Sequence, residues 1–140
     1  MKRHIPGLHF DAASDSAKLD GIFLVRVETA RYQYHSLKPF FTLSFSILKP
    51  EDRAGTVVSG RLYSTAKAAW RLRWFLREFG YDTALLEQDV VDEQAMRGLH
   101  GIIKVSHSTI HGHAVVNLDG FARAERWIEI RQTQEATLDL

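Results

Sequence analysis

Basic and aromatic residues stand beside one another at several places in this chain, and that pairing has a specific chemistry. Arg31 precedes Tyr32 and Tyr34, Lys38 precedes Phe40, Arg61 precedes Tyr63, and Lys104 stands in a later apolar run. A guanidinium or ammonium group tracks phosphates, and a flat ring offers a face on which a base stacks. Gathered on one surface, these eight residues would form a sequence-tolerant grip on a single nucleic-acid strand. The plainer reading is that some of the aromatics complete a second small core beneath the N-terminal residues, or meet another subunit.

A second cluster is Trp70 and Trp74, flanked by Lys67, Arg71, Arg73 and Arg77. Tryptophan and arginine are both enriched where proteins dock, so Trp70, Trp74, Arg73 and Arg77 read as a packing or subunit interface. Further base stacking is the alternative. His107, His111 and His113 invite a zinc test, with His100 or Asp119 as further ligands, because neutral imidazoles a few residues apart can converge on a metal. Solvent-exposed imidazoles at a hairpin tip explain them more simply, and the expectation is no metal and no cofactor. The chain has no glycine-rich phosphate loop, no nucleophile elbow and no His-Glu-x-x-His, so no catalytic residue is assigned and a non-enzyme is expected. Asp92 and Glu93 read as a solvated face.

The elements that must position these residues follow from length and pattern. At 140 residues, 45% apolar and 25% charged, the chain has the size and composition of one globular domain. It contains no cysteine, which excludes disulfides, cysteine-based zinc or iron–sulfur sites and thiol catalysis. The opening Met1-Lys2-Arg3-His4-Ile5-Pro6-Gly7 lacks the apolar stretch of a secretory leader, and no window suits a bilayer span. A cytoplasmic protein without membrane contact is expected. Net charge is +1, but it is unevenly spread: residues 21–81 carry ten basic side chains against four acidic ones, and residues 82–97 one against five. Such segregation permits a basic face on a nearly neutral protein.

Residues 1–19 read as a lead-in segment. From Gly21, the run Ile22-Phe23-Leu24-Val25-Arg26-Val27 predicts a strand with Phe23, Val25 and Val27 inward, continuing through His35 with a bend or bulge. Phe41, Leu43, Phe45 and Ile47 alternate with Phe40, Thr42, Ser44 and Ser46, predicting a second strand with one core face and one wet face. A third strand covers residues 56–63, with Val58 and Leu62 inward and Val57, Ser59, Arg61 and Tyr63 outward. The spacing of Ala69, Leu72, Phe75, Leu76 and Phe79 predicts a helix over 66–79, capped by Ser64 or Thr65 and ended by Gly80. Residues 82–97 read as a short helix or irregular connection. Strands are predicted at 100–108 and 114–122 around a turn at 111–113, then a short strand at 127–130 and a polar tail.

Three strands, a helix and a two-stranded hairpin are the element order of the OB-fold, a five-stranded Greek-key barrel. The particulars go further: Asp20-Gly21-Ile22-Phe23 leading to Val27 and Ala30, the Phe41-Leu43-Phe45 strand, Gly60-Arg61-Leu62-Tyr63, Lys67-Ala68-Ala69-Trp70-Arg71-Leu72, Leu99-His100-Gly101-Ile102-Ile103-Lys104-Val105, and Val116-Asn117-Leu118-Asp119-Gly120-Phe121. With these motifs, across residues 20–122, the chain resembles phage-type single-stranded DNA-binding OB-fold proteins. The resemblance implies an all-β OB-fold domain over 20–126 with one main helix between strands three and four. It also implies single-stranded DNA as ligand, a homo-oligomer, and replication or recombination proteins as partners. The alternative is an OB-fold interaction or oligomerisation module that binds no nucleic acid. Residues 127–140 form an extension that departs from the group, because after Gln132 its only charges are Glu135 and Asp139. It lacks the long acidic tail that would recruit partners.

Overall fold

The computed structural model describes residues 20–34 and 38–138. The lead-in segment 1–19 and His35 lie outside them. The described residues form five strands, β1 (Gly21–Gln33), β2 (Phe40–Lys49), β3 (Val57–Tyr63), β4 (His100–Ile110) and β5 (His113–Ala122). Their helices are α1 (Ala69–Glu78), α2 (Thr83–Glu87), α3 (Glu93–Met96) and α4 (Trp127–Leu138). The strands make one antiparallel sheet in the order β3-β2-β1-β4-β5.

β1 is long because it serves two neighbours. Its first half, Gly21 to Arg26, pairs with β4, and Leu24 to Gln33 pairs with β2. Register shifts fall between Leu24 and Val25 and between Val27 and Thr29. Curling in this way brings the edge strands β3 and β5 towards each other: a Cβ placed on Gly60 would come within 2.9 Å of Leu118. No hydrogen-bonded ladder joins those edges, so the mostly β sheet is not closed.

The inner face buries Phe23, Val25, Val27, Leu43, Phe45, Ile47, Val58 and Leu62, as the alternation requires. Under it lies the apolar stripe of α1, with Leu72, Phe75 and Leu76 buried. Phe75 is the hub: its ring centroid is 4.6 Å from Phe79, 5.4 Å from Phe121 and 6.0 Å from Phe45. Gly101 admits the Phe79 ring, which a Cβ there would meet at 2.4 Å.

Helix α1 starts later than its pattern predicts. Residues 66–68 form a turn, and neither Ser64 nor Thr65 caps with its side chain. The Thr65 carbonyl instead accepts from the Ala68 and Ala69 amides, and the Ser64 hydroxyl is taken by the Pro39 carbonyl. Its end is as predicted. Gly80 adopts φ +80°, with Gly80 N–H donating to Arg77 O and Tyr81 N–H to Leu76 O, a Schellman motif that buries Tyr81.

The acidic connector is structural rather than merely solvated. Asp82 and Asp92 cap α2 and α3 by accepting backbone N–H groups, satisfying donors that a helix start leaves unpaired. The Glu93 carboxylate accepts from the Tyr32 backbone N–H at 2.9 Å. The expected strand at 127–130 is instead the first turn of α4. Trp127, Ile128 and Ile130 fit either period, and the helix-favouring Gln, Glu and Ala residues that follow tip the balance. Among the described residues, no helix is long and apolar enough to cross a membrane.

Candidate functional site

The outer face of β1-β2-β3 is built from cross-strand rows. Gln33, Phe40 and Tyr63 form one, and Arg31, Thr42 and Arg61 the next. Side chains opposite each other on one face lie close enough to interact. The Phe40 and Tyr63 rings are 5.5 Å apart and tilted, the Arg61 guanidinium lies 4.5 Å over the Phe40 ring, and Thr42 Oγ1 donates to Gln33 Oε1 at 3.1 Å. Tyr34, just past the end of β1, and Lys38, just before β2, close the row. Gln33, Tyr34, Lys38, Phe40, Arg61 and Tyr63 together line a surface groove of about 430 Å³.

Five of the eight residues predicted for strand binding therefore meet: Tyr34, Lys38, Phe40, Arg61 and Tyr63. Their roles differ. Tyr34 is 70% exposed, whereas Phe40 is only 6% exposed beneath Arg61 and Tyr63. Phe40 is thus the floor of the groove and the support of the guanidinium, while Tyr34 and Tyr63 offer ring surface. Arg31 is exposed on the same face, one row along, in register with Thr42.

Tyr32 and Lys104 go elsewhere. The bulge after Val27 inserts one residue, so Ala30 and Tyr32 take the inner side and Arg31 and Gln33 the outer. Tyr32 consequently packs 5.1 Å from the ring of core residue Phe41, with its backbone tied to Glu93. Lys104 belongs to the row Ile22-Lys104-Gly120, with β1 and β2 between its strand and β3. A Cβ on Gly120 would meet both Lys104 Cβ and the Trp74 ring at 3.6 Å, which puts Lys104 nearer the helix.

Two further grooves adjoin. Between β3 and β5 runs a cleft of about 850 Å³ whose lining includes Arg61, Tyr63, Ala68, Arg71 and Asp119. On α1, Ala69, Trp70, Arg73, Trp74 and Arg77 line a groove of about 610 Å³, the same four residues read from sequence as an interface, plus the alanine that precedes them. Trp70 and Trp74 stack at 6.1 Å with planes 17° apart. Trp74 turns its edge against Phe121, at 5.3 Å, while Trp70 is 58% exposed. Arg71 lies 5.1 Å over the Trp70 ring and donates to the Leu118 carbonyl at 2.7 Å. Arg73 pairs with Asp89 at 3.3 Å.

At the far end of the sheet face, Ser46 and Arg26 both donate to the Glu28 carboxylate. The Ser46 hydroxyl, and after it Arg26, hold Glu28 below the ordinary carboxylate range, so the face ends in an ion pair with an ionised carboxylate. Of the histidines, His107 is paired with Asp20 through Nδ1, while His111 and His113 lie exposed at the β4–β5 hairpin, whose turn residues His111 and Gly112 have φ of 52° and 79°. Among the described residues, no three His, Asp or Glu side chains converge as metal ligands.

Sequence reasoning missed Gln33 as a groove wall and the β3–β5 cleft altogether. Gln33 could have been found from its register opposite Phe40. The cleft had no local signal, because it depends on which strands become edges. No protein-family model matches the chain, and no curated protein matches it.

Proposed function

We propose that this chain is a non-enzymatic OB-fold protein that binds single-stranded DNA, in a phage or prophage-like replication or recombination module. The observation that carries this reading is the groove on the outer face of β1-β2-β3, where Arg61 and Lys38 adjoin the exposed ring of Tyr34 and the half-buried ring of Tyr63. Cations beside flat, accessible rings supply phosphate contact and sequence-tolerant stacking together. The OB-fold is supported by the strand order, in which β1 pairs with both β2 and β4, and by the approach of β3 to β5 at Gly60 and Leu118. Phosphates would meet Arg61, Lys38 and Arg31, and bases would stack on Tyr34 and Tyr63. Arg61, held over the Phe40 ring, is pre-oriented and loses little freedom on binding.

The test is a titration of labelled single-stranded DNA, single-stranded RNA and duplex across a range of salt concentrations. Single-stranded DNA binds tightest, with log K falling against log salt at a slope of about −2 for three phosphate contacts. Replacing Arg61 by Ala makes that slope shallower by about 0.7. Micromolar protein that leaves an oligonucleotide of roughly 30 residues, longer than one OB-fold site, unshifted at low salt overturns the proposal.

A further inference from the structure

We infer that the stacked Trp70–Trp74 pair is a second base-stacking platform on the same strand track, so that short and long single strands engage the protein differently. The inference rests on the strand-binding reading above and extends it to a surface that the sequence pattern assigns to subunit contact.

Continuity carries it first. Arg61 and Tyr63 line both the sheet groove and the β3–β5 cleft. Arg71 lines that cleft and lies over the Trp70 ring, and Trp70 opens the groove on α1. Shared residues thus join the first two grooves, and the Arg71–Trp70 contact joins the third to them, giving one path from Tyr34 to Arg77 across the gap between the open sheet edges. Charge is the second support. Arg61, Arg71, Arg73 and Arg77 line the cleft and the helix groove, where Asp119 is the one acid of the lining and Asp89 pairs with Arg73, a cationic excess that suits a polyanion. Pre-organisation is the third. Trp74 is anchored edge-on to Phe121, Trp70 lies parallel to it, and Arg71 is fixed by the Leu118 carbonyl, so an exposed indole is held ready without further ordering. The same groove could bury itself against a second copy of the chain, and the experiment separates the two.

The full chain, carrying Trp127→Phe to leave Trp70 and Trp74 as reporters, is titrated with oligo(dT) stepped from about 4 to about 20 nucleotides, bracketing the site sizes of single OB-folds. Short strands bind through the sheet groove, and Trp70→Ala leaves their affinity unchanged. Above a threshold length, Trp70→Ala weakens binding roughly 5- to 150-fold, the range expected for one lost stacking contact, and Trp70→Phe restores most of it. Tryptophan fluorescence is quenched only above that threshold. Arg61→Ala weakens binding at every length. A Trp70→Ala effect that is absent or equal at all lengths overturns the inference while leaving the strand-binding reading standing. A change in the sedimenting mass of Trp70→Ala without DNA also overturns it, assigning the platform to self-association. Failure of the unaltered chain to bind any length removes both.

Discussion

The sheet groove and the helix groove each hold a guanidinium over an aromatic ring, but they bury that ring to very different depths. On the sheet, the ring of Phe40 is buried and the Arg61 cation lies on top of it. On the helix, Trp70 presents more than half of its surface to solvent even with Arg71 over its ring, and Arg73 follows about one turn on. The difference follows from geometry. Cross-strand neighbours stand about 5 Å apart and cover one another, whereas residues four apart on a helix lie side by side and leave their outer faces open. The sheet thus offers a fixed charge over a buried ring, and the helix a fixed ring that stays largely open to solvent.

This contrast can be broken or sharpened by experiment. The largest effect expected is on stability, at the buried ring: Phe40→Ala costs about 3 kcal/mol, as other buried Phe truncations do, read from urea unfolding. Arg71→Ala, which removes the link between cleft and helix, leaves the Leu118 carbonyl without its charged donor and lowers stability by about 1.5 kcal/mol. Trp70→Ala should shift the same transition by less than about 0.5 kcal/mol, because an exposed side chain contributes little to the core. A loss at Trp70 comparable with that at Phe40 would erase the distinction between the two grooves.

The smallest effect concerns the Arg26–Glu28 pair at the end of the sheet face. Glu28 is held below its ordinary pKa by the Ser46 hydroxyl first and Arg26 second. A carboxylate depressed in the folded state contributes stability above its unfolded pKa, and this is lost as pH falls through the folded value. Ser46→Ala should therefore raise the Glu28 pKa and flatten the acid limb of the stability curve slightly, measured by carboxyl-carbon NMR titration. An unchanged midpoint would mean that Arg26 alone keeps the charge in place.

Much of the fold was legible because β2 announces itself: Phe41, Leu43, Phe45 and Ile47 can share a side only if the backbone is extended, and all four are buried. The stripe of α1 and the stop at Gly80 were equally plain, since each rests on local spacing and local backbone freedom. The start of α1 and the helix over 127–138 were not, because competing partners decided them: Pro39 for the Ser64 hydroxyl, and no adjacent strand for Ile128 and Ile130. At the site, Arg61 and Tyr63 were legible from β3, but Tyr32 was not. A single inserted residue after Val27 turned its side chain to the inner face, and nothing in the alternation of Phe23, Val25 and Val27 tells where that insertion falls.

Pattern alone located the five strands of the sheet and the apolar faces of β2 and β3, and showed that cations and aromatic rings occur together. Tertiary structure alone decided which of them meet. Tyr34, Lys38, Phe40, Arg61 and Tyr63 are drawn from three stretches of chain and become neighbours only through the pairing of β1, β2 and β3. The cleft beside them exists only because β3 and β5 approach without joining. Periodicity is a property of one segment, but register, bulge position and edge-to-edge distance are properties of pairs, fixed by the packing of the whole core.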